Sequence, residues 1–337
     1  MNNEQFMLTP LLVFVGALLI AFVATPIARR IAPRLGVMDV PNPRKVHARP
    51  MPLLGGAAIV IASIATLLIF QGRFEFQQLI TILLGAAFMS LLGIYDDRWG
   101  LRPILKLLGQ ILAACLLILS GVRVMSFPFE WLNFLVSLIW IVGLTNSLNL
   151  LDNMDGLSSG VAAVCAAFFM VAAALSRQTY VGALAAALLG AALGFLFYNF
   201  NPASIFMGDT GSLFLGFMLA AIGIKLRFPD NVPFVTWMVP ALVMGMPIFD
   251  TTLVFISRLR RGQNPLTTPG KDHVSHRLVG LGFTTREAVM IHYLIGGAFG
   301  LAAILVTQSN VREGYLIGAG LALFGLYGLW FFEFKQK

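Results

Sequence analysis

Charge is scarce in this chain, and cysteine is nearly absent. Asp, Glu, Lys and Arg make up 11% of 337 residues, against roughly 25% in soluble domains. So little charge excludes a water-soluble globular fold. The two cysteines, Cys115 and Cys165, lie inside apolar runs. That excludes a disulfide or cysteine-metal framework and leaves them packing roles. Neither a Walker loop nor a Gly-x-Gly-x-x-Gly fingerprint occurs, so nucleotide binding of those kinds is not supported. No basic segment precedes the first apolar run, and its positive charges follow it. It therefore reads as a retained span rather than a cleaved leader. No internal repeat suggests an inverted-repeat transporter. The apolar runs are continuous, so the ~10-residue alternation of a membrane barrel is missing as well.

What is present is apolar length. Residues are 58% hydrophobic, with a mean hydropathy of +0.85. The pattern predicts one all-α transmembrane domain over 1–337, with about 11 spans. They fall at about 8–27, 53–70, 77–94, 104–120, 131–148, 158–175, 179–198, 212–226, 233–256, 288–307 and 315–333. Pro240 and Pro247 predict a kinked or broken ninth span. Gly190-x-x-x-Gly194 and Gly296-x-x-x-Gly300 would let helices approach closely.

Of the 23 Lys and Arg, 17 fall on the side holding loops 28–52, 95–103 and 257–287, and six on the other. The positive-inside rule puts those loops and the C-terminus in the cytoplasm and the N-terminus outside. The net charge of +8 is therefore first an orientation signal, and nucleic acid is not an expected partner. Asp96, Asp97, Asp152, Asp155, Asp209, Asp250, His273 and His276 all land on the cytoplasmic face. The opposite face holds little beyond Glu75, Glu130, Asp230 and Glu313.

Five loops on that face carry the chemistry. Asn149, Asp152 and Asp155 recur every three residues, which keeps them roughly on one helical face. No Lys or Arg lies between Arg123 and Arg177, so these acids need water, a metal or a polar ligand. Asp96-Asp97 is an acid pair at the end of a span. With Asp209 and the 152/155 pair it could hold Mg²⁺, which accepts one or two carboxylates and fills its shell with water and phosphate. Phe206-Met207-Gly208-Asp209-Thr210-Gly211-Ser212 reads as a tight turn into the eighth span. Its glycines would admit a ligand, and Phe206 could stack on a flat base. Lys271-Asp272-His273-Val274-Ser275-His276-Arg277 is cationic and suits phosphate better than zinc, for want of further ligands. Arg44-Lys45-x-His47 forms a second basic loop. Each stretch alone is also compatible with a solvated or capping turn.

In order along the chain, these stretches resemble the polyprenyl-phosphate N-acetylhexosamine-1-phosphate transferases. The resemblance rests on Arg44-Lys45-x-His47 with Gly55-Gly56, then Asp96-Asp97, then Asn149-Leu-x-Asp152-x-x-Asp155-Gly-Leu, then Phe206-Met-Gly-Asp209-x-Gly-Ser, then His273-x-x-His276. It covers nearly the whole chain. It implies transfer of a sugar-1-phosphate from a UDP-sugar to undecaprenyl (polyprenyl) phosphate, with release of UMP and a requirement for Mg²⁺, Mn²⁺ being the alternative. It implies that Asp209 binds the metal and that Asp96 or Asp97 activates the acceptor or joins the metal. It further implies that Asn149, Asp152 and Asp155 line the uridine-diphosphate site with Phe206 near the base. Lys45, His47, His273, His276 and Arg277 would contact the diphosphate or sugar. The N-acetylglucosamine branch usually shows His-x-His-His, and here Ser275 takes the third place. The chain thus sits nearer that branch than the phospho-MurNAc-pentapeptide branch.

The expected partners are a UDP-N-acetylhexosamine, polyprenyl phosphate and membrane lipid, at the inner membrane, with homodimerisation left open. Another UDP-HexNAc or a UDP-MurNAc-pentapeptide donor would use the same chemistry. An ion-coupled transporter would instead place its ionisable groups near the midplane of spans, and a scaffold would show no metal-dependent activity.

Overall fold

The computed structural model describes residues 3–41, 49–70, 76–265, 268 and 270–335. Lys45 and His47 lie outside the described residues. The chain runs α1 (Asn3–Ile31), β1 (Met38–Asp39), β2 (Met51–Pro52), α2 (Gly55–Ile69), α3 (Phe76–Trp99), α4 (Pro103–Leu119), α5 (Glu130–Leu151) and α6 (Leu157–Leu175). It continues through α7 (Thr179–Asn199), α8 (Gly208–Lys225), α9 (Pro233–Thr236), α10 (Met238–Val243), α11 (Gly245–Arg260), α12 (Val274–Gly280), α13 (Thr285–Gln308) and α14 (Val311–Trp330). The last element is one π-helical turn, Phe331–Lys335. The two short strands pair antiparallel, Met38 opposite Pro52, inside the expected first basic loop.

Among the described residues seven helices are long and apolar enough to cross a membrane, or eight if α9–α11 is one bent crossing. The apolar stretch of α14 is almost unburied, with Leu316, Leu323 and Leu326 turned outward. A surface of that kind is stable only in lipid. The protein is a multi-pass, helical membrane protein.

α7 and α8 form its centre. α1, α2 and α6 pack on α7, and α2, α3, α5 and α6 on α8. Lipid offers no hydrophobic drive between helices, so small side chains and close fit hold them. α7 meets this need with Ala183, Ala185, Ala186, Ala187, Ala191 and Ala192, all fully buried. A Cβ on Gly194 would lie 2.5 Å from the Leu18 carbonyl oxygen, and one on Gly190 2.9 Å from the Leu18 nitrogen. The first Gly-x-x-x-Gly pair is therefore the contact with α1. In the second, Gly300 receives the Phe168 ring of α6.

Each expected span falls on helix, the ninth broken as its prolines predict, and two other details differ. Asp96 and Asp97 are not in a loop: α3 continues through them to Trp99. The ninth span is broken into three pieces, with a 72° bend between its α9–α10 part and α11. Pro247 sits in the first turn of α11, where its missing N–H leaves no intrahelical bond unmade. The hydrophilic segment 257–287 contains an unexpected short helix, α12, bearing Ser275, His276 and Arg277.

Candidate functional site

The ends of α3 and α5 meet the first turn of α8, and α4 supplies a cation between them. Asp97, on α3, accepts from the Asp209 backbone N–H (2.8 Å), the Thr210 N–H (3.0 Å) and the Thr210 hydroxyl (2.7 Å). It thus caps α8 from a neighbouring helix, satisfying N–H groups that a helix start leaves orphaned. Gly208 permits this closeness. Its φ is +71°, and a Cβ there would lie 2.6 Å from an Asp97 carboxylate oxygen.

Asp209 is held in turn by side chains. Its Oδ1 accepts from Asn149 Nδ2 at 2.6 Å, and its Oδ2 from Lys106 Nζ. Lys106 also donates to Asn149 Oδ1 at 3.0 Å and pairs with Asp96 at 3.0 Å. Asn149 reaches Ser212 Oγ at 2.9 Å, and Asp96 Oδ1 accepts the Leu101 N–H at 2.6 Å. Of the acids expected to converge, Asp96, Asp97 and Asp209 meet here, and Lys106 is the group the sequence reading missed. Its signal was a lone ammonium near the start of an otherwise apolar helix, Pro-Ile-Leu-Lys-Leu-Leu.

Asp152 terminates α5. Its carboxyl has no hydrogen-bond partner among the described residues. Its removal from water, reinforced by the negative charges of Asp209, Asp97 and Asp155, pushes its pKa well above the usual carboxylate range. Such a group costs stability as pH rises from the ordinary carboxylate range through the raised value. Asp152→Asn is therefore expected to raise Tm by a few degrees at pH 8 in metal-free detergent solution. The gain should fade as pH approaches about 4. A lower Tm than wild type at pH 8 would contradict this.

Asp155 serves the neighbouring loop. Its Oδ2 accepts from Asn201 Nδ2 (3.1 Å) and the Ala203 N–H (2.9 Å). Gly156, at φ +76°, makes the turn into α6. The Phe206 side chain is half-buried. The Phe206 N–H donates to the Pro52 carbonyl (2.8 Å), while Gly55 and Gly56 donate to the carbonyls of Phe206 and Met207 (both 2.9 Å). The Gly55-Gly56 motif thus docks α2 on the start of α8.

The histidine segment is a second assembly. His273 is buried, with Nδ1 2.7 Å from Asp250 Oδ2, and Asp250 Oδ1 accepts the Val274 N–H at 2.8 Å. The buried Ser275 hydroxyl donates to Asn153 Oδ1 at 2.8 Å, tying α12 to the residue after Asp152. His276 stays half-buried. Burial first, then repulsion from His273 and Lys271, holds its pKa below the usual imidazole value, which favours a neutral ring. Asp272 pairs with Arg258 at 3.0 Å and with Arg261. Burial alone would raise its pKa, but those two guanidinium bonds outweigh it and hold the carboxyl below its usual range. Arg277, expected to bind substrate, has its guanidinium taken up by Ser257, Asp272, Phe332 and Glu333 instead.

Fold and site together define an integral membrane protein in which carboxylates of two separate helices, α3 and α8, meet at one lysine of a third, with the α5–α6 turn carrying two more acids beside them. The family model for glycosyl transferase family 4 matches residues 79–227, the stretch that holds all of that first assembly. The probable undecaprenyl-phosphate N-acetylglucosaminyl 1-phosphate transferase of Bacillus subtilis (strain 168) is 36% identical over 317 residues, covering 91% of this chain and 88% of that protein. The decaprenyl-phosphate N-acetylglucosaminephosphotransferase of Mycobacterium tuberculosis (strain CDC 1551 / Oshkosh) is 32% identical, covering 91% and 85%. The phospho-N-acetylmuramoyl-pentapeptide-transferase of Bacillus subtilis is 31% identical, covering 67% and 77%. The chain belongs to glycosyl transferase family 4.

Proposed function

We propose that this protein transfers N-acetylglucosamine-1-phosphate from UDP-N-acetylglucosamine to undecaprenyl or another polyprenyl phosphate and releases UMP. The observation that carries the reading is the meeting of Asp96, Asp97 and Asp209 at the start of α8, with Lys106 pairing two of them. It occurs in a chain alike over nine-tenths of its length to N-acetylglucosamine phosphotransferases. A phosphate oxygen of the lipid acceptor bonds to the sugar-bearing phosphorus, and the bond from that phosphorus to the bridging oxygen breaks. UMP leaves with the bridging oxygen.

Two anions must meet, and their repulsion opposes the encounter. The chain's own groups suit this task. Lys106 supplies one positive charge, and Asn149 fixes the Asp209 carboxylate. Asp97 fixes the backbone beneath it. The donor set also suits Mg²⁺, with Mn²⁺ as the alternative. Asp209 offers a hard carboxylate, and the Asp152 carboxyl lacks any partner among the described residues. Among those residues no three Asp, Glu, His or Cys side chains group closely enough to hold a metal by themselves. Mg²⁺ characteristically takes one or two carboxylates and completes its shell from water and substrate phosphate. When bound, it would neutralise charge on the transferring phosphoryl group. His276, kept neutral, can hydrogen-bond the donor.

We further propose that α2, α4 and α8 also cross, which gives eleven crossings with α9–α11 as one. The N-terminus then lies outside, and the site faces the cytoplasm at the inner membrane. The Lys and Arg distribution supports this orientation. The test is incubation of purified protein with labelled UDP-N-acetylglucosamine, polyprenyl phosphate and Mg²⁺, scoring UMP and lipid-linked product. No turnover with this donor but turnover with UDP-MurNAc-pentapeptide would move the assignment to the other branch. No UMP from any UDP-sugar would end it.

A further inference from the structure

We infer that Glu333, in the π-helical turn that ends α14, is a positioning residue for the helix that carries His276. The inference rests on the reading of that helix as donor-binding, and it starts from how α12 is held.

α12 does not belong to the main core. Val274 and Leu278 join a small separate cluster with Met246, Leu253 and Ala288, against which Leu329 and Phe332 pack. Two of the residues completing this cluster thus come from the last turns of the chain. Helix ends near a terminus ordinarily fray. Here the Glu333 side chain is only 8% exposed, and it accepts from two guanidiniums at once. Arg260 of α11 reaches Oε1 at 2.7 Å, and Arg277 of α12 reaches Oε2 at 2.8 Å. A withdrawn carboxylate persists only when paired in this way.

Arg277 is the residue directly after His276. Its Nε donates to the Asp272 carbonyl at 2.9 Å, its Nη2 to Ser257 Oγ at 2.8 Å and to Glu333, and its Nη1 to the Phe332 carbonyl. Every guanidinium nitrogen is engaged by protein, and two of the four partners lie in the C-terminal turn. Arg260 is further fixed by stacking on the Phe334 ring, 4.0 Å from its centroid. α12 is therefore gripped at two points. On one side Ser275 ties it to Asn153, beside Asp152. On the other, Arg277 ties it to Glu333. Two ties on opposite sides of a seven-residue helix fix its rotation, and with it the direction of His276. Glu333 acts through Arg277 and touches no substrate.

The experiment compares wild type with Glu333→Ala, Glu333→Gln and Glu333→Asp. It measures UMP release against each substrate, together with the rate of trypsin cleavage after Arg277. The isosteric Gln variant keeps the side-chain volume should the Ala variant fold poorly. Loss of the charge-assisted bonds should raise the KM for the UDP-sugar about tenfold. The KM for polyprenyl phosphate should stay near the wild-type value, and Asp should recover most of the loss. Trypsin should cut the Ala and Gln variants faster at Arg277. Wild-type donor KM in both neutral variants, or a parallel rise in both KM values, would overturn the inference. Unchanged cleavage after Arg277 would overturn it as well. A wild-type protein that releases no UMP would instead refute the proposed reaction, and the trypsin comparison would still decide whether Glu333 holds α12.

Discussion

Asp209→Asn is expected to lower the rate of UMP release by about 10³-fold or more while the protein still inserts and keeps its Tm. Asp209 stands in the first turn of α8 with one oxygen on Asn149 and the other on Lys106. An amide in its place keeps the size and one acceptor but removes the charge. It also turns an N–H₂ toward a donor, Lys106 or Asn149. On the proposed role of Asp209, raising Mg²⁺ should not restore the rate, since the substitution would remove a charged ligand outright. Asp97→Asn makes the informative contrast. Asp97 accepts three hydrogen bonds from the start of α8, and an amide cannot accept at both positions. That variant should lose Tm as well as activity. Steady-state kinetics and thermal unfolding of both proteins separate the two roles. Near-wild-type turnover by Asp209→Asn would remove the foundation of the proposed site.

Lys106→Met is expected to reduce kcat/KM about 10²-fold. Methionine preserves the apolar stem and deletes the one ammonium that joins Asp96, Asn149 and Asp209. Without it, two partly buried carboxylates face one another uncompensated. Lys106→Arg should rescue poorly, because a planar fork cannot replace a point charge shared among three acceptors. Turnover within about twofold of wild type in the methionine variant would show that the ammonium is dispensable, since even a single charged hydrogen bond is worth more than that.

The apolar runs were legible because lipid demands about twenty apolar residues per crossing, and that length survives any detail of packing. The glycines at 208 and 211 were legible as places of close approach, though the group that approaches Gly208 is the Asp97 carboxylate and not a ligand. Asn149, Asp152 and Asp209 could be grouped because loop parity puts them on one face. Lys106 escaped for the converse reason. Its carboxylate partner in α8 is 103 positions away, and local charge counts around Asp152 see no cation. The α3 boundary was misplaced because Asp96 and Asp97 read as loop residues, whereas Asp97 is needed in helical register to reach α8. Ser275 looked like a gap in a histidine pattern. The structure gives it a bond to Asn153, which no spacing rule announces. Arg277 was assigned by charge alone, and charge does not say whether the partner is a ligand or the end of the same chain.

The sealed middle of the molecule has a further consequence. Of the fifteen buried residues of α7, only Asn199 at its end carries a polar side chain. A sugar diphosphate finds no wet passage along so oily a shaft, and dragging its charges through hydrocarbon is prohibitively costly. On the proposed reaction, a headgroup made at the acidic end does not cross the bilayer along α7.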